Sequence, residues 1–206
     1  MSRFTRPLPA GRGHLDELAA PLAALRADAP RLELWGRRLA AVLVQGGRLL
    51  AAGNGGSASQ ASHLTSELVG RYRDDRPPFS AIALCVESSA VTAIGNDYGI
   101  EEVFARQVRG HGRPGDVLVA LSTSGRSANI LAAVDAAHDA GMVTWALSGR
   151  PGNPLAECCD DALCDDSPHT ATIQEVHLIA IHMLCAAVDH ALESGRPALT
   201  LAGGAR

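Results

Sequence analysis

The sequence predicts an α/β protein built on a parallel sheet with helices on both faces. Three observations carry this expectation. Beyond Gly47, short apolar runs alternate with windows of helical periodicity. The runs are apolar throughout rather than at every second residue, as in strands covered on both sides. The intervening windows open on Ser57, Ser88 and Ser127, a residue type suited to helix N-caps. With 206 residues and 47% apolar content, the chain suffices for one buried core and reads as a single domain.

Each element follows from its residues. Residues 1–12 are rich in Pro, Gly and Arg and residues 193–206 in Gly, Pro and Ala, so both ends are expected to fray and to carry no chemistry. Leu15, Leu18, Leu22 and Leu25 recur at helical spacing and predict a helix over 14–27, with Pro21 as the place for a kink. Leu32, Trp35, Leu39, Val42 and Leu43 predict a second over 30–45. Together they form an N-terminal helical segment, about 14–45, ahead of an α/β core over about 47–192. Strands are expected at 48–53 (RLLAAG), 80–86 (SAIALCV), 116–122 (DVLVALS), 142–148 (MVTWALS) and 161–166 (DALCDD). A last helix is expected from about Thr172 to Leu192.

Composition excludes several functions. A net charge of −4 and a pI near 6.0 leave no basic surface for a run of phosphates, so nucleic acid is not an expected partner. All 18 basic residues are Arg. Without lysine there is no side-chain Schiff base and no P-loop, and any phosphate must be held by backbone N–H groups, hydroxyls or Arg. Cys85, Cys158, Cys159, Cys164 and Cys185 contain no CxxC spacing and read as free or buried thiols. No apolar region follows Arg3, Arg6 and Arg12, and the apolar segment Val176 to Val188 is shorter than a bilayer span, so a soluble cytoplasmic protein with no membrane partner is expected.

In open α/β sheets ligands bind where strand ends meet helix N-termini. Two such places have distinctive chemistry: GNGGS (53–57) after the first strand, and STSGRS (122–127) after the third, with its row of hydroxyls. Free N–H groups and the positive pole of a helix favour an anion, so both loops read as cradles for a phosphorylated polyol. GNGG is not GxGxxG, and no acidic residue closes the second strand, which weakens a dinucleotide reading. His63 and Glu67 lie four apart on the helix opening near Ser57 and share a face. Gln174 and His182 lie eight apart on the last helix, roughly 80° around its axis, and converge if that helix packs end-on over a cleft. Two imidazoles, a carboxylate and an amide suit a borderline divalent ion such as zinc. An isolated HxxxE pair is more often a solvated helix face, so the assignment rests on the four groups together. His177 reads as a core residue or as one that supports a ligand from behind, and His14, His111, His138, His169 and His190 receive no role.

AAGNGGSASQASHLTSELVGRYR, GNDYG (95–99), ALSTSGRSANI (120–130) and IQEVHLIAIH (173–182), in this order and over about residues 14–192, resemble the phosphoheptose isomerases of the sugar isomerase (SIS) domain superfamily. The resemblance implies a three-layer sandwich around a five-stranded parallel sheet of flavodoxin-like order, with N-terminal helices used in oligomerisation. It implies a homotetramer with interfacial active sites that converts D-sedoheptulose 7-phosphate to D-glycero-D-manno-heptose 7-phosphate. Substrate contacts carry over to Asn54, Gly55, Gly56 and Ser57, to Asn96 and Asp97, to Ser122, Thr123, Ser124 and Ser127, and to Glu67 and Gln174. Arg71 matches a position that reaches a neighbouring active site. His63, Glu67, Gln174 and His182 match the ligands of one divalent metal, Zn2+, per subunit, and Glu67 and His182 the acid–base pair. One departure stands out: before Gln174 the family commonly has an acidic residue and an Arg, where this chain has Ala171 and Thr172. The alternatives are an isomerase of another ketose phosphate, or a module that senses a phosphosugar or binds a protein without turnover.

Overall fold

The structure, a computed structural model, describes residues 11–195, so the fraying expected at the two ends falls almost wholly outside the described residues. Helices α1 (Arg12–Ala27) and α2 (Ala29–Val44) precede β1 (Leu49–Gly53), α3 (Gly56–Val69) and β2 (Ala81–Ala83). Then come α4 (Ser88–Tyr98), α5 (Glu102–His111), β3 (Val117–Ser122), α6 (Ala128–Asp139), β4 (Val143–Ser148), α7 (Pro154–Cys158), β5 (Asp161–Cys164) and α8 (Thr170–Glu193). All five strands are parallel, in the order β2-β1-β3-β4-β5, which is the flavodoxin-like arrangement.

The period-2 alternation of side chains splits the core into two layers. Leu49, Ala51, Val117, Val119, Leu121, Trp145 and Leu147 pack against α2, α3 and α8. Leu50, Ala52, Leu118, Ala120 and Ala146 pack against α5 and α6. Because both faces are covered, every residue of β1 and β3 is buried, which accounts for their unbroken apolar runs. On the first face Trp35 of α2 stacks on Trp145 of β4 with ring centroids 4.8 Å apart, and its indole Nε1 donates to Asp161 Oδ2 at 2.7 Å. The indole thereby satisfies its one polar group while burying its whole body.

Several elements differ from expectation. β2 is three residues long rather than seven: it is an edge strand paired only with β1, and the chain turns away after Leu84 N bonds Ala51 O. Between β2 and β3 lie two helices instead of one, because Gly99, at φ 93°, ends α4. Ser57 and Ser88 stand inside the first turn of their helices, and the N-cap positions belong to Gly55 and Glu87. The Glu87 carboxylate accepts from the N–H groups of Ser89 and Ala90. α1 runs uninterrupted through Pro21, and α7 was not anticipated. α8, at 24 residues, is long and apolar enough to cross a bilayer, contrary to the expectation from residues 176–188. Half of that window is buried inside the protein, where α8 packs along α2 and α3, so its apolarity belongs to the core.

Candidate active site

β1 and β3 are neighbours in the sheet, yet the helices that follow them leave on opposite faces, α3 with one core layer and α6 with the other. That topological switch opens a crevice at the carboxyl edge of the strands. The two polar loops meet there. Asn54 and Asn129 exchange a reciprocal amide pair, each Nδ2 donating to the other's Oδ1 at 2.9 Å. The pair zips the β1–α3 loop to the start of α6 and occupies the Asn54 side chain. Asn129 received no role from the sequence, where its only signal was a poor helix former in a first turn. Gly55 turns the chain into α3 at φ 54°. At Gly56 a Cβ would collide with the side-chain amide of Gln174, so the absence of a side chain lets α8 lean over the loop.

The second loop gathers hydroxyls. Ser122 Oγ lies 3.4 Å from Ser124 Oγ and 3.1 Å from Ser127 Oγ, and accepts from Gly125 N at 3.1 Å. Ser127 occupies the N-cap of α6, but its hydroxyl makes no capping bond and stays within the cluster. Three hydroxyls at the N-terminus of a 12-residue helix are an arrangement suited to an anion, with no lysine required.

The third part of the site lies farther along α3 and α8. His63 Nε2 is 2.9 Å from His182 Nε2 and 3.3 Å from Glu67 Oε1. The ligand atoms of the three residues all lie within 4.8 Å of one another. The two imidazole nitrogens are thus at hydrogen-bond distance of each other. A tetrahedral zinc with bonds of about 2.0–2.1 Å separates its ligand atoms by about 3.3 Å. The His63–Glu67 distance matches that value, the His63–His182 distance falls a few tenths of an ångström short of it, and the donor types of all three suit a divalent ion. Tyr72 stacks on the His182 ring at a centroid distance of 5.6 Å, fixing its plane. Cys185, also close, does not offer a thiolate: burial, reinforced by the charges of Glu67 and Asp189, pushes its thiol up to about 12.

Gln174 stands apart from this trio. Its backbone carbonyl accepts from Gln60 Nε2 and its side-chain amide rests on Gly56. On α8 it lies about 12 Å along the axis from His182 by helical rise. Within one chain the structure therefore brings together three of the four expected ligands, with the amide beside Gly56 at the start of α3.

Comparison with known proteins places this geometry. Residues 14–149 match the SIS domain family. A phosphoheptose isomerase of Streptomyces coelicolor is 65% identical over 193 residues, which is 94% of this chain and 84% of that protein. The chain belongs to the phosphoheptose isomerase family. Another phosphoheptose isomerase, from Thiobacillus denitrificans, is 50% identical over 87% of this chain and 93% of its own. Among solved structures, phosphoheptose isomerases of Francisella tularensis and Neisseria gonorrhoeae superpose with TM-scores of 0.81 and 0.80 at 35% and 40% identity. Each alignment covers 86% of this chain, and 95% and 96% of the two relatives respectively.

Three residues that the family resemblance singles out are exposed and make only local contacts among the described residues. Asn96 and Asp97 sit at the exposed end of α4, where Asn96 Nδ2 donates to Asp97 Oδ1 at 2.9 Å. Arg71 is exposed and donates to the carbonyl of Arg73. At the departure from the family pattern, Ala171 is exposed, while Thr172 is 1% exposed with its hydroxyl unpartnered.

His177 is a core residue, fully buried, with Nε2 3.0 Å from the carbonyl of Ser148. A carbonyl only accepts, so Nε2 carries a proton and donates it. Burial holds its pKa below the usual imidazole value, with the Ser148 bond and Asp165 acting in the opposite sense. Below about pH 6.5 the unfolded chain takes up a proton that the native ring refuses, so unfolding becomes easier by up to about 1.4 kcal/mol per pH unit. Stability is thus retained above that pH and lost as pH falls. His177→Gln keeps a donor for Ser148 and removes the titration, so urea unfolding between pH 7 and 5 is expected to show a shallower decline than in the parent. Equal slopes would contradict this.

Proposed function

We propose that this chain interconverts D-sedoheptulose 7-phosphate and D-glycero-D-manno-heptose 7-phosphate by proton transfer through an enediol. The observation that carries the reading is the presence, in one chain of this family, of both a hydroxyl-lined anion cradle and a His63–Glu67–His182 cluster. Their spacing supports it. His63 lies seven residues beyond Gly56, or about 10 Å along α3. An extended heptose 7-phosphate spans about 10 Å from phosphorus to C1 at about 1.5 Å per carbon–carbon bond. The phosphate anchored by Ser122, Thr123, Ser124 and Ser127 would therefore leave C1 and C2 at the cluster.

In this mechanism the Glu67 carboxylate takes a proton from C1, and the C–H electrons become the C1–C2 double bond. His182 delivers a proton to the ketone oxygen on C2, giving the enediol. His182 then removes the O1 proton as the aldehyde forms at C1, and Glu67 returns a proton to C2. Hydrogen and charge balance, and both residues regain their starting states. Asn54, Gly55, Gly56, Ser57 and Gln174 line the path between the two ends. His63, Glu67 and His182 would hold a divalent ion, zinc by donor type, which when bound would polarise the sugar oxygens and stabilise developing negative charge. An atom bound to the ion carries no proton, so ligation and proton transfer at Glu67 and His182 alternate during turnover.

The remaining site residues fit an assembled enzyme. α4 has no buried residue, and Tyr98 and Ile100 are 53% and 65% exposed beside Asn96 and Asp97. An apolar face of this kind favours cover by a second copy, bringing Asn96, Asp97 and Arg71 to a neighbouring crevice in a homotetramer with α1 and α2 in its centre. The whole is read as one SIS domain acting in the cytoplasm. Relatives that carry the enzyme's name at 65% and 50% identity favour turnover over a sensing module. The test is incubation of the purified chain with sedoheptulose 7-phosphate and, in parallel, with five- and six-carbon ketose phosphates. Aldose formation from the seven-carbon substrate alone is expected. Preference for a shorter sugar would redirect the assignment.

A further inference from the structure

Arg76 follows the GRYR motif, outside the expected set of site residues, and its side chain is only 9% exposed. Its guanidinium joins the two helices that carry the cluster. Nη2 donates to the carbonyl of Glu67 at 2.7 Å and Nη1 to that of Leu68 at 3.0 Å, both among the last four carbonyls of α3, which lack partners within the helix. Nε donates to Asp189 Oδ1 on α8 at 2.8 Å, and that carboxylate is 16% exposed. The Phe79 ring lies beneath the guanidinium, 5.2 Å from ring centroid to Cζ. Asp189 stands seven residues beyond His182, two turns along the same face of α8.

We infer that Arg76 is a positioning residue for the proton-transfer and metal cluster, a clamp that sets the separation of α3 and α8 where His63 and Glu67 meet His182. This rests on the functional reading above. The chemistry suits the task. A planar fork with fixed donor directions can hold two carbonyls of one helix and a carboxylate of another at once, whereas an ammonium on a flexible stem cannot. The contact on the Glu67 carbonyl is one bond network away from the carboxylate that moves the proton. A shift of about 1 Å at that carbonyl would alter the 2.9 Å and 3.3 Å separations that define the cluster, and misplacement on that scale costs on the order of 10²-fold in rate.

The test compares the parent with Arg76→Lys and with Asp189→Asn, the latter breaking the charged tie to α8 while leaving the two carbonyl contacts of Arg76 in place. For both variants kcat on sedoheptulose 7-phosphate is expected to fall at least tenfold with KM within twofold, because the phosphate cradle is untouched. Co2+ affinity, read by visible absorption of the cobalt-loaded protein, is expected to weaken by about tenfold. Should Arg76→Lys fail to fold, Asp189→Asn carries the comparison alone. A lower melting temperature with unchanged kcat and unchanged cobalt affinity would overturn the clamp and leave Arg76 a stabilising residue only. If the parent itself binds cobalt but does not isomerise the sugar, the functional reading fails while the cobalt comparison still decides the clamp. If the parent does neither, crystal structures of the parent and Asp189→Asn decide it: an unchanged His63–His182 separation overturns the clamp.

Discussion

Glu67→Gln is expected to lower kcat for sedoheptulose 7-phosphate by about 10³-fold, within the range that a positioned general base contributes. Glutamine matches the shape of glutamate and can still reach His63, whose Nε2 lies 3.3 Å from Glu67 Oε1. It cannot accept a proton from carbon. The Glu67 backbone, held by Arg76, is unaffected by the exchange, so circular dichroism and melting temperature should match the parent. The measurement belongs on metal-replete protein, since an amide oxygen is a weaker ligand than a carboxylate and loss of metal alone would also lower the rate. More than a tenth of parental activity in the metal-loaded variant would remove Glu67 from the proton path.

Removal of the phosphate from the substrate should have an effect of the same size. The cradle offers the Ser122, Ser124 and Ser127 hydroxyls, the first two within 3.4 Å of each other, and the N-terminal pole of α6. Hydrogen bonds to a charged group contribute about 1.5–3 kcal/mol each, so even two of them amount to roughly 4 kcal/mol, or about 10³-fold in kcat/KM. The phosphate is at the far end of the sugar from the reacting carbons, so its binding energy would serve to place C1 and C2 against Glu67 and His182. Sedoheptulose is therefore expected to be turned over at about a thousandth of the efficiency of its 7-phosphate. A difference of less than tenfold would show that the serine loop does not carry the phosphate.

The fold was legible because its determinants are local in sequence. Unbroken apolar runs such as VLVALS gave doubly covered strands, and Leu32, Trp35 and Leu39 gave the buried stripe of α2. Element ends were less legible. Ser57 and Ser88 are good capping residues, yet the N-cap positions are held by Gly55, two residues earlier at positive φ, and by Glu87, one residue earlier with a free carboxylate. The β2 edge strand was overextended since apolarity alone does not reveal where pairing stops.

For the candidate site, the four-residue spacing placed His63 and Glu67 on one helix face, whereas their meeting with His182 depends on how α8 packs, which no local pattern encodes. Asn129, Tyr72 and Arg76 escaped notice for the same reason: each acts across elements, through the amide pair with Asn54, the stack on His182 and the tie to Asp189. Gln174 shows the converse limit. Eight residues from His182 on one helix, it shares a sequence motif with that residue but, within one chain, not a location.

The most direct measurement is NMR of the metal-loaded chain turning over sedoheptulose 7-phosphate in deuterium oxide. Transfer through a carboxyl group that exchanges with solvent predicts D-glycero-D-manno-heptose 7-phosphate carrying deuterium at C2. A folded, metal-loaded chain that yields no aldose, or an aldose whose C2 hydrogen still comes wholly from C1 of the ketose when Glu67 is replaced by Gln, would contradict proton transfer by Glu67 and His182.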